Sequence, residues 1–255
     1  MSQANNNGTF WEHLDELRGC IIRALLVIAG LAAGAFAFKE TLFNIVLAPA
    51  HGDFISYRWM GAEDFNLKLM NTGLTEQFMI HVKVALYTGL LLASPFVIYE
   101  LFAFVSPALY DSERRPAVRV VTAAYAMFIM GTMVNYFIVF PLTVRFLGTY
   151  QVSDDVANML TIQSYADTLI SMSLVIGLVF ELPVITWMMA FMGFLKWEQM
   201  ARFRKHAFVA ILVVAAVITP TTDMFTLIVV ALPIWLLYEA SILIVRVTNR
   251  KKITL

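Results

Sequence analysis

Six apolar runs, most of them as long as a bilayer is thick, constrain this chain more than any other feature. They cover approximately residues 20–43, 78–105, 117–147, 167–194, 206–219 and 224–247. A helix needs about 20 apolar residues to cross a hydrocarbon core of about 30 Å. The residues are 60% hydrophobic and 14% charged, too little charge to cover the surface of a soluble domain. The reading is an all-α membrane protein of six transmembrane helices, with residues 1–255 forming one membrane domain. The segment Trp11 to Arg18 before the first run is acidic, whereas signal peptides begin with positive charge. That run is therefore expected to be a retained span. The fifth run holds only about a dozen apolar residues, and it is counted because the charge rule needs it. With six spans and both termini cytoplasmic, thirteen Lys and Arg lie inside and five outside.

Several function classes find no support. The formal net charge is zero, which gives no footprint for nucleic acid. The single cysteine, Cys20, and four scattered histidines form no metal-ligand spacing. Neither a phosphate-binding loop nor a nucleophile motif is present, so no cofactor, no metal and no enzymatic activity is expected.

Polar residues depart from a plain bundle in three places. Thr9 to Glu12 fits a helix-start capping box, and Phe10, Leu14, Leu17 and Ile21 follow as an apolar stripe. This predicts an amphipathic interfacial helix. Such helices normally carry cations toward an anionic leaflet, yet this one carries Glu12, Asp15 and Glu16, which points to a cationic visitor or to pairing with Arg18, Arg114 or Arg115. The loop from Ser106 to Pro116 adds Asp111 and Glu113 at the same cytoplasmic edge. Two carboxylates there can accept two guanidinium groups. Glu181, near the middle of the fourth run, is costly in a membrane and is a functional candidate, with Pro183 expected to kink the helix beside it. Gln163 and Ser164 mark the outer start of that run. Glu100 and Glu239, also within spans, are expected to pair or to reach an interface.

The residues resemble a known family at five places in order. These are His13 to Arg18; Glu76-Gln77-Phe78 with Lys83; Ser106 to Tyr110 with Glu113-Arg114-Arg115; Phe180 to Pro183; and Thr219-Pro220 with Asp223 and Phe225. Together they are similar to the C subunit of the twin-arginine protein translocase (TatC). Gly19 and Cys20 stand where relatives often continue with basic residues. The resemblance implies a concave six-helix bundle in the bacterial cytoplasmic (inner) membrane that receives the twin-arginine signal peptides of folded precursors. It assigns signal-peptide binding to Glu16 and Glu113, with Asp15, Asp111 and Arg18 beside them. It makes Glu181, Gln163 and Asp223 the membrane-embedded or partner-binding set. The implied partners are single-span subunits of the same translocase (TatA/TatB type), further copies of this chain and the lipid bilayer, and the implied energy source is the proton-motive force. Without the resemblance, a small-molecule transporter using Glu181 and Glu100 as proton carriers is the main rival.

Overall fold

In lipid, backbone amides find no water, so apolar runs satisfy them internally as helices. The computed structural model describes residues 4–61, 65–105, 114–151, 153, 159–219 and 223–253. Two compact units divide the chain. Five helical stretches are long and apolar enough to cross a membrane: Leu14–Phe36, Glu76–Phe104, Val120–Thr149, Ile162–Met192 and Met224–Asn249. The fifth expected span corresponds to a helix of 15 residues, Arg204–Ile218. Its helical rise of about 22 Å is short of a hydrocarbon core.

The first unit comprises Met1–Lys39 and Val82–Tyr125. Helix α1 runs without interruption over Ala4–Phe36, which corrects two expectations. Thr9 lies inside the helix instead of capping it. The amphipathic stretch is the N-terminal part of the first span, because the stripe through Leu14, Leu17 and Ile21 stays in helical register into the apolar run. The span also ends at Phe36 and not at residue 43, since Ala37 N and Phe38 N tighten onto the carbonyls of Gly34 and Ala35 (3.1 and 2.9 Å). A new helix, α2 (Lys39–Leu47), begins there. Most of α4 (Glu76–Val105) belongs to this first unit, as does the first half of α5 (Arg114–Val134). Pro95 lies within α4 and cannot donate to the carbonyl four residues back, that of Leu91. The Ser94 hydroxyl donates to that oxygen instead, at 2.7 Å.

The second unit comprises Glu40–His81 and Ala126–Leu255. Its opening segment contains α2, a 3-10 turn at Ala48–Ala50 and the short helix α3 (Ile55–Trp59). A two-residue strand β1 (Leu69–Met70) follows and pairs in parallel with β2 (Leu160–Thr161). Beyond α5 the third span continues through a π-helical turn, Asn135–Val139, into α6 (Phe140–Thr149). The fourth span is divided into α7 (Ile162–Val179) and α8 (Leu182–Met192). Helices α9 (Trp197–Arg202), α10 (Arg204–Ile218) and α11 (Met224–Ile253) complete it.

Prolines explain much of how this unit is pinned. Pro141 leaves the Phe137 carbonyl without its usual donor, beside the π turn, and the Ser56 hydroxyl of α3 donates to it. Pro49 does the same to Ile45, whose carbonyl accepts from Tyr136 Oη at 2.6 Å. Tyr57 Oη donates to the Pro49 carbonyl at 2.8 Å, and Tyr165 Oη to that of Val46 at 2.9 Å. Three tyrosines thus fasten the segment after the first span. Tyr165 is almost wholly buried, so Tyr165→Phe leaves the Val46 carbonyl without this donor. A loss of about 1–2 kcal/mol is expected. Thermal unfolding in detergent measures it, and an unchanged midpoint would show that the bond contributes nothing.

At the other end of the unit, Gly193 closes α8 at φ 89°, a left-handed geometry that glycine adopts without penalty. Ala190, Met200, Ile242 and Val245 pack beneath Trp197 and Tyr238. Tyr238 Oη donates to the Met200 carbonyl at 2.9 Å, and the Arg246 guanidinium lies 4.9 Å from the Trp197 ring centre.

Candidate functional site

Asp15, Glu16 and Arg18 all lie on α1 with exposed side chains. A helix places residues four and seven apart on one face, so Glu16, Cys20 and Arg23 form a single column. Asp15 and Arg18, three apart, share another. Arg23 meets Glu100 of α4 in a two-point ion pair, Nη2 to Oε2 at 2.6 Å and Nε to Oε1 at 3.1 Å. Its Nη2 also donates to Cys20 Sγ at 3.4 Å. The cation two turns from Glu16 is therefore committed to another carboxylate. The pairing expected of Glu100 is present, as is that of Glu239, whose Oε2 accepts from Arg204 Nη2 at 2.8 Å. Asp111 and Glu113 lie outside the described residues.

Glu181 sits at the break between α7 and α8, where Pro183, near the start of α8, ends the continuity of the backbone ladder. Its carbonyl starts α8 by accepting from Val184 N and Ile185 N (3.0 and 2.9 Å). The side chain is half-buried, and Oε1 has no hydrogen-bond partner. An orphaned carboxylate oxygen in a membrane-spanning stretch is unfavourable unless something reaches it. The neighbouring Phe180 is buried and packs against Gly131, while Gly177 receives Phe128, so α5 and α7 meet closely just before the break.

Gln163 lies at the far end of α7 from Glu181. The 18 residues of that helix separate them by about 27 Å of helical rise. The backbone amide of Gln163 donates to Glu76 Oε1 at 3.2 Å. Glu76 Oε2 accepts from Thr72 N, Thr72 Oγ1 and Gly73 N at 2.9, 3.2 and 2.8 Å. One carboxylate thus ties the chain before α4 to the start of α7. Asp223 has a local task as well. Its Oδ1 accepts from Thr226 N at 2.8 Å and its Oδ2 from Thr226 Oγ1 at 2.5 Å, which caps the first turn of α11. Glu181, Gln163 and Asp223 consequently differ in surroundings, and Gln163 and Glu181 are too far apart to form one site.

A protein-family model described as Sec-independent protein translocase protein (TatC) matches residues 12–233. The chain belongs to the TatC family. TatC of Desulforapulum autotrophicum is 37% identical over 252 residues, covering 99% of this chain and 89% of that protein. TatCy of Bacillus subtilis is 31% identical, with 96% and 92% covered. A crystal structure described as the twin-arginine translocase receptor TatC superposes with a TM-score of 0.78 at 30% identity, covering 93% of this chain and 99% of that one. TatC proteins are non-enzymatic translocase subunits, and this chain is accordingly an all-helical membrane component of a protein translocase.

Within this TatC chain, reading the sequence alone missed the tyrosine fastenings, the Asn135 to Ser173 bond (Nδ2 to Oγ, 2.8 Å) and the clasp at Glu76. A proline position was the available signal for one of them, the Tyr136 bond, since Pro49 leaves the carbonyl of Ile45 for a distant hydroxyl to serve.

Proposed function

We propose that this chain is the signal-peptide receptor and organising core of a twin-arginine translocase in the cytoplasmic membrane. In this reading it spans the bilayer six times, with the short helix α10 as the fifth span and both termini cytoplasmic. The relative of known structure is described as the twin-arginine translocase receptor. The observation that carries the reading to this chain is the exposed acidic start of α1. Glu16 and Asp15 are exposed at the start of the first span, and Arg23, on the Glu16 face, pairs with Glu100. An arriving guanidinium pair can therefore reach two carboxylates there.

Glu16 and Glu113 each receive one arginine of the signal in a two-point, charge-assisted contact, with Asp15, Asp111 and Arg18 shaping the surrounding field. The apolar part of the signal, and then the spans of TatA/TatB-type partners, dock beside Glu181, whose free oxygen supplies an acceptor. The proton-motive force drives the passage of the folded cargo.

The test is binding of a twin-arginine signal peptide to the purified protein, compared with a twin-lysine peptide. A charge-assisted contact contributes on the order of 1.5–3 kcal/mol when desolvated. Glu16→Ala and Glu113→Ala should therefore each weaken arginine-peptide binding by roughly ten- to hundredfold. Equal binding of both peptides, unchanged in both variants, would sink the carboxylate mechanism and favour a transporter.

A further inference from the structure

A cavity of about 410 Å³ opens between α3 and the third span, lined by Ile55, Trp59, Met60, Phe137, Ile138 and Leu142. Its volume lies in the range of small-molecule sites. The polar group nearest its floor, the Ser56 hydroxyl, is already donated to the Phe137 carbonyl, so the walls offer hydrocarbon alone. Trp59 is 85% exposed, and Phe137 and Ile138 are 40% and 52% exposed. The last two belong to a membrane-spanning stretch, so the groove faces lipid. Trp59 ends the short helix α3 beside that stretch, and tryptophan is enriched at the interface between hydrocarbon and water.

Two cations flank the groove in sequence, one on α3 and one on the third span. Arg58 neighbours Trp59 on α3 and is exposed. Arg145 follows Leu142 by three residues and Ile138 by seven, which carries the groove-facing side of the span about one turn further toward its end. Arg145 is half-buried. Neither arginine makes an ion pair or a side-chain hydrogen bond among the described residues. Arg145 also lies on the α3 side of the span: burial pushes the Tyr57 phenol up, and the charge of Arg145 acts on it in the opposite sense.

We propose that this groove is a binding site for one anionic glycerophospholipid, with an acyl chain between α3 and the third span and its phosphate on Arg58 and Arg145. A partner helix fits less well. Helix α3 has only five residues, too few to present the repeated anchors that a docked helix needs, and a helix would leave both guanidinium groups without an anion. Guanidinium forks match phosphate oxygens in geometry and charge. The lipid would brace α3 against the third span at the point where Pro141 interrupts the backbone ladder.

The test is native mass spectrometry of the full chain in mild detergent, titrated with phosphatidylglycerol and separately with phosphatidylcholine. One phosphatidylglycerol should be retained per chain, with phosphatidylcholine retained about tenfold less. Arg58→Ala combined with Arg145→Ala should lower retention about tenfold, and Ile138→Trp, which fills the groove, should do the same. Arg145→Lys keeps the charge and should retain lipid, which guards against a folding defect in the alanine variant. Equal retention of the two lipids would overturn the site, as would retention unchanged by the arginine substitutions. Loss through the arginines with no effect of Ile138→Trp would overturn the acyl groove. Cross-linking of Ile138→Cys to a membrane protein in native membranes, with no lipid retained, would assign the groove to a partner.

Discussion

Gly89→Val is expected to be the most destabilising single substitution in the first unit. A side chain at Gly89 would place its Cβ 2.7 Å from the backbone nitrogen of Ala32, 2.8 Å from its Cα and 2.8 Å from its Cβ. Two of these three atoms are main chain within a helix, so no rotamer change relieves the contact. Overpacking of this kind costs about 1–3 kcal/mol when side chains can yield, and here α1 and α4 must separate. The melting midpoint in detergent should fall by roughly 2–12 °C, taking about 2–4 °C per kcal/mol for a chain of this size. Gly89→Ala should fall less and in the same direction. Ala32→Gly removes one of the three contacts but leaves both main-chain ones, so it should restore only part of the loss. A midpoint unchanged in Gly89→Val would mean that α1 and α4 do not pack at this glycine.

Glu181→Leu is expected to split stability from function. Oε1 of Glu181 has no partner, and an unsatisfied buried polar atom costs about 1–3 kcal/mol. Leucine has similar volume and no such requirement, so the purified protein should melt at a higher temperature. Under the receptor reading, export of a folded twin-arginine reporter should fall at least tenfold, because the acceptor beside the docking helices is gone. Glu181→Gln keeps an acceptor oxygen without the charge and separates the two contributions. A lower melting temperature in the leucine variant would show that Glu181 is a structural acceptor, and its role in docking would lose its support. This pattern, a residue that costs stability where it stands, is what function leaves behind in a fold.

Much of the architecture was legible because it rests on local properties. Apolar length determined the helices, and Pro183 beside Glu181 marked the break in the fourth span. Charge patterning along α1 marked Asp15 and Glu16, which are exposed in the structure. These features follow from hydration and covalent geometry within a few residues, which a linear sequence displays directly. The motifs from His13 to Phe225 similarly carried the family resemblance, and the chain's membership of the family agrees with it.

Contacts between distant positions required the tertiary structure. Nothing near Arg23 announces Glu100, 77 residues away, and nothing near Pro49 announces Tyr136. Glu76 looks like an ordinary helix-start acid until Gln163 N is found on its carboxylate. Gln163 marks the outer start of the apolar run that holds Glu181, and the length of α7 sets the two at opposite ends of that helix. Asp223 is occupied by capping its own helix. A sequence determines which groups need partners: an acid in a membrane, a carbonyl orphaned by proline, a glycine that admits a neighbour. Which group answers each need depends on close approach in three dimensions, because hydrogen bonds and packing act over about 3–4 Å whatever the distance along the chain.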